Sequence, residues 1–271
     1  MVASLEQIVA ASRRRIVATR QSADLRELER QAEEHIPRGF RRALEMKSAR
    51  GTAVIAELKK ASPSRGVIRA EFDAAGIARE FEAAGAAALS VLTDEEFFHG
   101  SLANLVQASK ATQLPCLRKD FILDEFQLLE ARANCADAVL LIVAALSQDE
   151  VVGLTMQSRD YELDVLCEVH DEQELGRAVD AGCNLIGVNN RDLKTFEVDL
   201  ETAVRLGPLI PKNVVSVAES GINSGADVAR LRAAGYQAFL IGEALMKAAL
   251  PGEALRTFLR ESQGAGRTVS I

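Results

Sequence analysis

EAAGAAALSVL at Glu82–Leu92, AVDAGCNLIGV at Ala178–Val188 and LRAAGYQAFLI at Leu231–Ile241 are three variants of one unit. In each, a helical stretch runs into a glycine (Gly85, Gly182, Gly235), and an apolar run follows a few residues later. Glycine suits the left-handed turn that ends a helix. A faint repeat of helix, glycine and strand marks a chain assembled from βα units.

Working outward from these units, eight apolar runs read as strands: Val54–Leu58, Ala88–Thr93, Cys116–Lys119, Ala138–Ile142, Asp164–Val169, Leu185–Asn189, Val214–Ala218 and Ala238–Gly242. They are continuous rather than alternating, as parallel strands covered on both faces require. Helical patterns lie between them. Ser147 with Glu150, and Asp171 with Glu174, have capping-box spacing, Asp171 being the looser match. Strands alternating with helices leave a closed barrel or a doubly wound open sheet. Eight repeats, and no G-x-G-x-x-G after the first strand, favour the α/β class (β/α)8 TIM barrel.

The 271 residues read as a single domain, with the barrel over 54–250. Residues 1–50 read as an N-terminal helical extension packed over one end of the barrel, helical at Leu5–Ala18 and Leu25–Ala32 and interrupted at Pro37. Residues 263–271, with Gly264 and Gly266, read as a flexible tail.

A net charge of −7 argues against broad nucleic-acid or anionic-membrane binding. No apolar run approaches the roughly 20 residues of a membrane span. Arg13, Arg14 and Arg15 interrupt the apolar stretch near the start, so no secretory signal is read and a cytoplasmic protein is expected. Cys116, Cys135, Cys167 and Cys183 form no C-x-x-C pair and read as reduced core residues, not disulfides or metal ligands. His35, His99 and His170 lack ligand spacing, so neither a metal nor a cofactor is expected. No P-loop and no G-x-S-x-G elbow is present.

Barrel active sites sit at the C-terminal strand ends, where an ionisable residue beside an apolar core needs a reason. Strand one ends in Glu57 and Lys59, strand three in Lys119 and Asp120, and strand five near Glu168. Strand six ends in Asn189 and Asn190 before Arg191, and strand seven in Glu219 and Ser220. Lysines and glutamates gathered at one mouth support general acid–base chemistry, since neighbours and burial tune their protonation. Taken singly, each could instead be a rim salt bridge. Gly221 after strand seven and Gly242–Glu243 after strand eight fit a phosphate held by backbone N–H groups. The Phe97–Phe98 pair reads either as loop packing or as an apolar wall for an aromatic substrate. These residues alone describe a barrel enzyme acting by acid–base chemistry on a phosphorylated small molecule.

Longer motifs add a resemblance. IAELKKASPSRG at Ile55–Gly66, LSVLTDE at Leu89–Glu95 with FHGS at Phe98–Ser101, and LRKDFI at Leu117–Ile122 resemble the first three strands of indole-3-glycerol-phosphate synthases. EVHDE at Glu168–Glu172, GVNNRDL at Gly187–Leu193 and AESGI at Ala218–Ile222 resemble the fifth, sixth and seventh. The motifs run in order over 54–247. The first fifty residues fit that family's helical extension by position only.

The resemblance implies a carbon–carbon lyase of tryptophan biosynthesis. It converts 1-(2-carboxyphenylamino)-1-deoxyribulose 5-phosphate to indole-3-glycerol phosphate, releasing carbon dioxide and water. By the same resemblance, Lys119 is the general acid on the ribulose carbonyl and Glu168 its acid–base partner in dehydration, with Glu57 and Lys59 assisting. Asn189 holds a substrate hydroxyl, and Ser62 and Arg191 lie near the anthranilate carboxylate. Glu219 and Ser220 order the mouth, and Phe98 and Phe121 contact substrate. Lys59 with the backbones of Gly221, Gly242 and Glu243 takes the phosphate. Glu243 departs from the serine found there in several members; its carboxylate would repel phosphate unless it points away. A monomer or weak homo-oligomer with a small phosphorylated substrate, and no nucleic-acid or membrane partner, is expected. The rival reading within the pathway is a phosphoribosylanthranilate isomerase, whose cysteine–aspartate pair the E-x-K…K-D-F pattern does not fit. A non-catalytic binding barrel would not need Lys119 and Glu168 together.

Overall fold

The computed structural model describes residues 4–63 and 65–264. Eight parallel strands close into a barrel: β1 (Ala53–Leu58), β2 (Ala88–Leu92), β3 (Cys116–Lys119), β4 (Ala138–Ile142), β5 (Asp164–Val169), β6 (Leu185–Asn189), β7 (Val215–Glu219) and β8 (Ala238–Ile241). Each lies within about one residue of its expected bounds. β1 closes the ring by pairing with both β2 (Ile55↔Ala88) and β8 (Ala53↔Ala238). The strand side chains are almost all buried, which is why the runs are apolar without alternation.

Helices pack outside the ring, and the three repeat glycines take positive φ of 98°, 74° and 105° for Gly85, Gly182 and Gly235. The Ser147–Glu150 capping box forms. Asp171 caps the Glu174 N–H, but Glu174 turns back to accept from His170 N at 2.8 Å and lie 3.0 Å from His170 Nδ1, so the reciprocal bond is absent.

The N-terminal extension departs from expectation. Three helices form rather than two, α1 (Leu5–Ser22), α2 (Leu25–Glu34) and α3 (Phe40–Ser48), and they do not share one end. α1 lies over the C-terminal mouth, with Leu5 and Ile8 lining its cavity. α2 packs on the flank against the helix Phe126–Ala133. Gly39, at φ 74°, redirects the chain into α3, which closes the opposite end. There Phe40 and Leu44 are fully buried, a contribution of roughly 1.5–3 kcal/mol each. Arg41 N donates to Asp164 Oδ2 at the start of β5, 2.9 Å away. Only two apolar positions in FRRALEMKS face the core, too few for a clear helical period.

The same end holds a buried anchor. Asp137, just before β4, accepts from Arg38 N at 2.7 Å, Arg38 Nε at 3.1 Å and Cys116 N at 2.6 Å, with His35 Nε2 3.3 Å away.

The cysteine reading also needs correction. Cys167 and Cys183 are joined by a disulfide across 16 residues, while Cys116 and Cys135 are free. Pairing of β5 with β6 (Cys167↔Ile186) makes the two thiols neighbours, and sequence spacing carries no trace of that. Gln263 and Gly264, assigned to the tail, complete the helix Pro251–Gly264; residues 265–271 lie outside the described residues.

Candidate active site

Layers inside such a barrel are filled by alternate strands. In its upper layer the odd strands β1, β3, β5 and β7 contribute Glu57, Lys119, Glu168 and Glu219, in place of branched apolar side chains. All three glutamates are at most 3 % exposed. Lys119 Nζ donates to Glu168 Oε2 at 3.1 Å and lies 3.6 Å from Glu219 Oε2. Lys59 Nζ sits 2.6 Å from Glu57 Oε1. Glycine makes room for the carboxylates. A Cβ at Gly187, which pairs with Glu168, would collide with the Glu219 carboxyl, and one at Gly242 would collide with that of Glu57.

Protonation follows from this crowding. Burial opposes the charge on Lys119, but Glu168, Glu219 and Glu57 outweigh it and hold the ammonium well above its ordinary range. Burial likewise opposes the charge on Glu168, yet Lys119, His170 and Asn189 hold its carboxyl well below the usual carboxylate range. Glu219 goes the other way. Burial, joined by the charges of Glu168 and Glu57 and only partly offset by Lys119, pushes it up to about 8. At neutral pH one lysine therefore stands between an ionised glutamate and a protonated one. Glu219 Oε1 is buried with no hydrogen-bond partner, as is Ser62 Oγ.

These groups open into a cavity of about 570 Å³. Ser220 and Gly221 leave β7 with positive φ of 65° and 76°, a turn that costs a non-glycine residue strain. Asn190 Nδ2 secures it by donating to Glu219 O at 2.9 Å and Ser220 O at 3.1 Å. Asn189 Oδ1 accepts from Arg191 N at 3.0 Å. On the far rim, Glu243 does not point away to solvent. Its carboxylate lies 2.5 Å from Lys247 Nζ, 3.3 Å from Arg65 Nε and 3.7 Å from Arg191 Nη2. Burial would raise its pKa, but Lys247, Arg65 and Lys59 outweigh it and lower it.

Comparison with known proteins decides the family. The model of indole-3-glycerol phosphate synthase matches residues 5–258. The chain belongs to the indole-3-glycerol phosphate synthase family. Its similarity to the synthase of Koribacter versatilis is 56% identity over 259 residues, 96% of this chain and 100% of that one. The synthase of Burkholderia ambifaria is 49% identical over 252 residues, 93% and 97% of the two chains. Among solved structures, a 3-hexulose-6-phosphate synthase superposes with TM-score 0.62 at 15% identity, covering 78% of this chain and 99% of that one, which shows the barrel fold alone. Indole-3-glycerol phosphate synthases are carboxy-lyases, and the chain is an enzyme of that class.

Every residue expected at the synthase site lines this cavity: Glu57, Lys59, Ser62, Phe98, Lys119, Phe121, Glu168, Asn189, Arg191, Glu219, Ser220, Gly221, Gly242 and Glu243. Among the described residues, no cysteine lines it, so nothing there matches the isomerase pair. Sequence reasoning missed His170. Its Nε2 lies 3.4 Å from Glu168 Oε1, and although burial opposes its charge, Glu168 and Glu174 push its pKa up to about 10. Its signal in the sequence is the two-residue spacing from Glu168, since alternate positions of a strand share a face. Arg15, Asp94 and Asp120 were also missed as a group, because three distant segments supply them.

Proposed function

We propose that this mouth closes the indole ring of 1-(2-carboxyphenylamino)-1-deoxyribulose 5-phosphate. The observation that carries the reading is the Lys119 ammonium held between Glu168 and Glu219, facing the cavity. As the carboxyl-bearing aromatic carbon attacks the ribulose carbonyl, negative charge develops on the carbonyl oxygen, and the Lys119 ammonium donates a proton to it. Loss of carbon dioxide restores electrons to the ring. Dehydration then removes a proton from the ring carbon next to nitrogen and delivers one to the new hydroxyl, which leaves as water; Glu168 is the acid–base group of this exchange, with Glu57 and Lys59 assisting. A protonated Glu219 and the Ser220 turn order the substrate, and Asn189 holds a hydroxyl.

Ser62, with its unpartnered hydroxyl, and Arg191 receive the anthranilate carboxylate; Phe98 and Phe121 flank the ring. Lys59 and the N–H groups of Gly221, Gly242 and Glu243 hold the phosphate. With its charge balanced by Lys247, Arg65 and Arg191, Glu243 repels that phosphate little. The chain acts as one domain in the cytoplasm, as a monomer or weak homo-oligomer. Among the described residues no helix is long and apolar enough to cross a membrane. Incubating the purified protein with the substrate and following indole fluorescence tests the reading: turnover is expected, and a folded protein that yields no indole product contradicts it.

A further inference from the structure

α1 meets the mouth through one guanidinium. Arg15 Nη1 donates to Asp94 Oδ2 at 2.8 Å, and Arg15 Nη2 to Asp120 Oδ1 at 3.2 Å. Both carboxylates are almost completely buried, and each belongs to a different strand end. Asp120 directly follows Lys119. It also accepts from Thr93 Oγ1 at 2.6 Å and Arg118 Nη2 at 3.2 Å, and its own backbone neighbour Phe121 N bonds it at 2.9 Å. Asp94 follows β2 and caps the short helix Glu95–Phe98 by accepting from Phe97 N at 2.7 Å. Arg118 gives Asp120 a second cation, whereas among the described residues Arg15 is the cation that Asp94 meets. Leu5, Ile8 and Arg15 share one stripe of α1, so the same helix face supplies cavity wall and tether.

We propose that Arg15 is a positioning residue for the ring closure. Through Asp120 it fixes the strand end that carries Lys119, and through Asp94 the helix that carries Phe98, so that acid and aromatic wall keep one separation. This rests on the reading of Lys119 as the general acid. A bidentate guanidinium suits the task because its two N–H edges have a fixed spacing that an ammonium lacks. Misplacement of a catalytic group by about 1 Å can cost roughly a hundredfold in rate.

The test is a kinetic comparison of Arg15→Ala, Arg15→Lys, Lys119→Met and the double variant Arg15→Ala with Lys119→Met. Arg15→Ala should lower kcat by at least about tenfold with KM changed by less than about threefold. Guanidinium chloride should restore part of that loss where sodium chloride of equal ionic strength does not, and Arg15→Lys should fall between. In the Lys119→Met background, Arg15→Ala should add little. Wild-type kcat in Arg15→Ala overturns the positioning role, and so does an equal fractional loss in both backgrounds. Lys119→Met alone reports on the underlying mechanism. Should it keep wild-type kcat, that reading fails in its own right, and the route through Lys119 fails with it. If Arg15→Ala does not fold, Arg15→Ala with Asp94→Asn removes the uncompensated carboxylate; low kcat there supports the tether, and wild-type kcat overturns it.

Discussion

The two ends of this barrel bury the same kinds of side chain and use them in opposite ways. At the closed end Asp137 is fully buried, and both of its oxygens are occupied by Arg38 and the Cys116 N–H. At the open end Glu219 is as deeply buried, yet one oxygen has no partner and its pKa is pushed up to about 8. A saturated buried charge holds segments together; an unsaturated one waits for a substrate atom.

The comparison breaks most sharply at Asp137. Asp137→Asn leaves Arg38 half-buried without its counter-charge and should lower stability by about 3 kcal/mol. Chemical denaturation checks this. Activity per folded molecule should stay within about twofold of wild type, because the cluster lies at the opposite end from the cavity. A large loss of kcat at a temperature where the variant is folded would erase the distinction between the ends.

Next in size is a pH effect at Glu219. Its folded pKa lies above its unfolded value, so the stability it contributes is fully present below about pH 4.5 and falls as pH rises towards 8. His35 and His170, raised to about 9 and about 10, add their own losses only above about pH 6.5. Between pH 5 and 6.5 the slope of unfolding free energy should therefore be shallower in Glu219→Gln than in wild type. An unchanged slope would mean that Glu219 is ionised in the folded protein.

The smallest effect is expected at Glu243. Its charge is already balanced by Arg65, Arg191 and Lys247, and the proposed phosphate site uses its backbone N–H. Glu243→Gln should change the substrate KM by less than about threefold. A tenfold shift in either direction would show that the side chain itself sets phosphate affinity.

The closed end was far less legible in the sequence than the open one. The strands could be read because burial on both faces forces long apolar runs, and the mouth because Glu57, Lys119, Glu168 and Glu219 interrupt those runs at their ends. Asp137 meets His35 and Arg38 from about a hundred residues away in the chain, with no periodic signal. α3 was hidden by its polar composition, and the Cys167–Cys183 link by the dependence of strand adjacency on register. Arg15 shows the same limit at the mouth, since its contacts with Asp94 and Asp120 come from across the fold.

The central claim is that Lys119 carries the proton in ring closure. Lys119→Met preserves side-chain length and removes the donor, so kcat measured by indole fluorescence reads the claim directly. A positioned general acid contributes about 10²–10⁴-fold, so kcat should fall at least about a hundredfold while KM changes little. Lys59→Met should chiefly raise KM. A folded Lys119→Met protein with near wild-type kcat would contradict the account, whatever the fold.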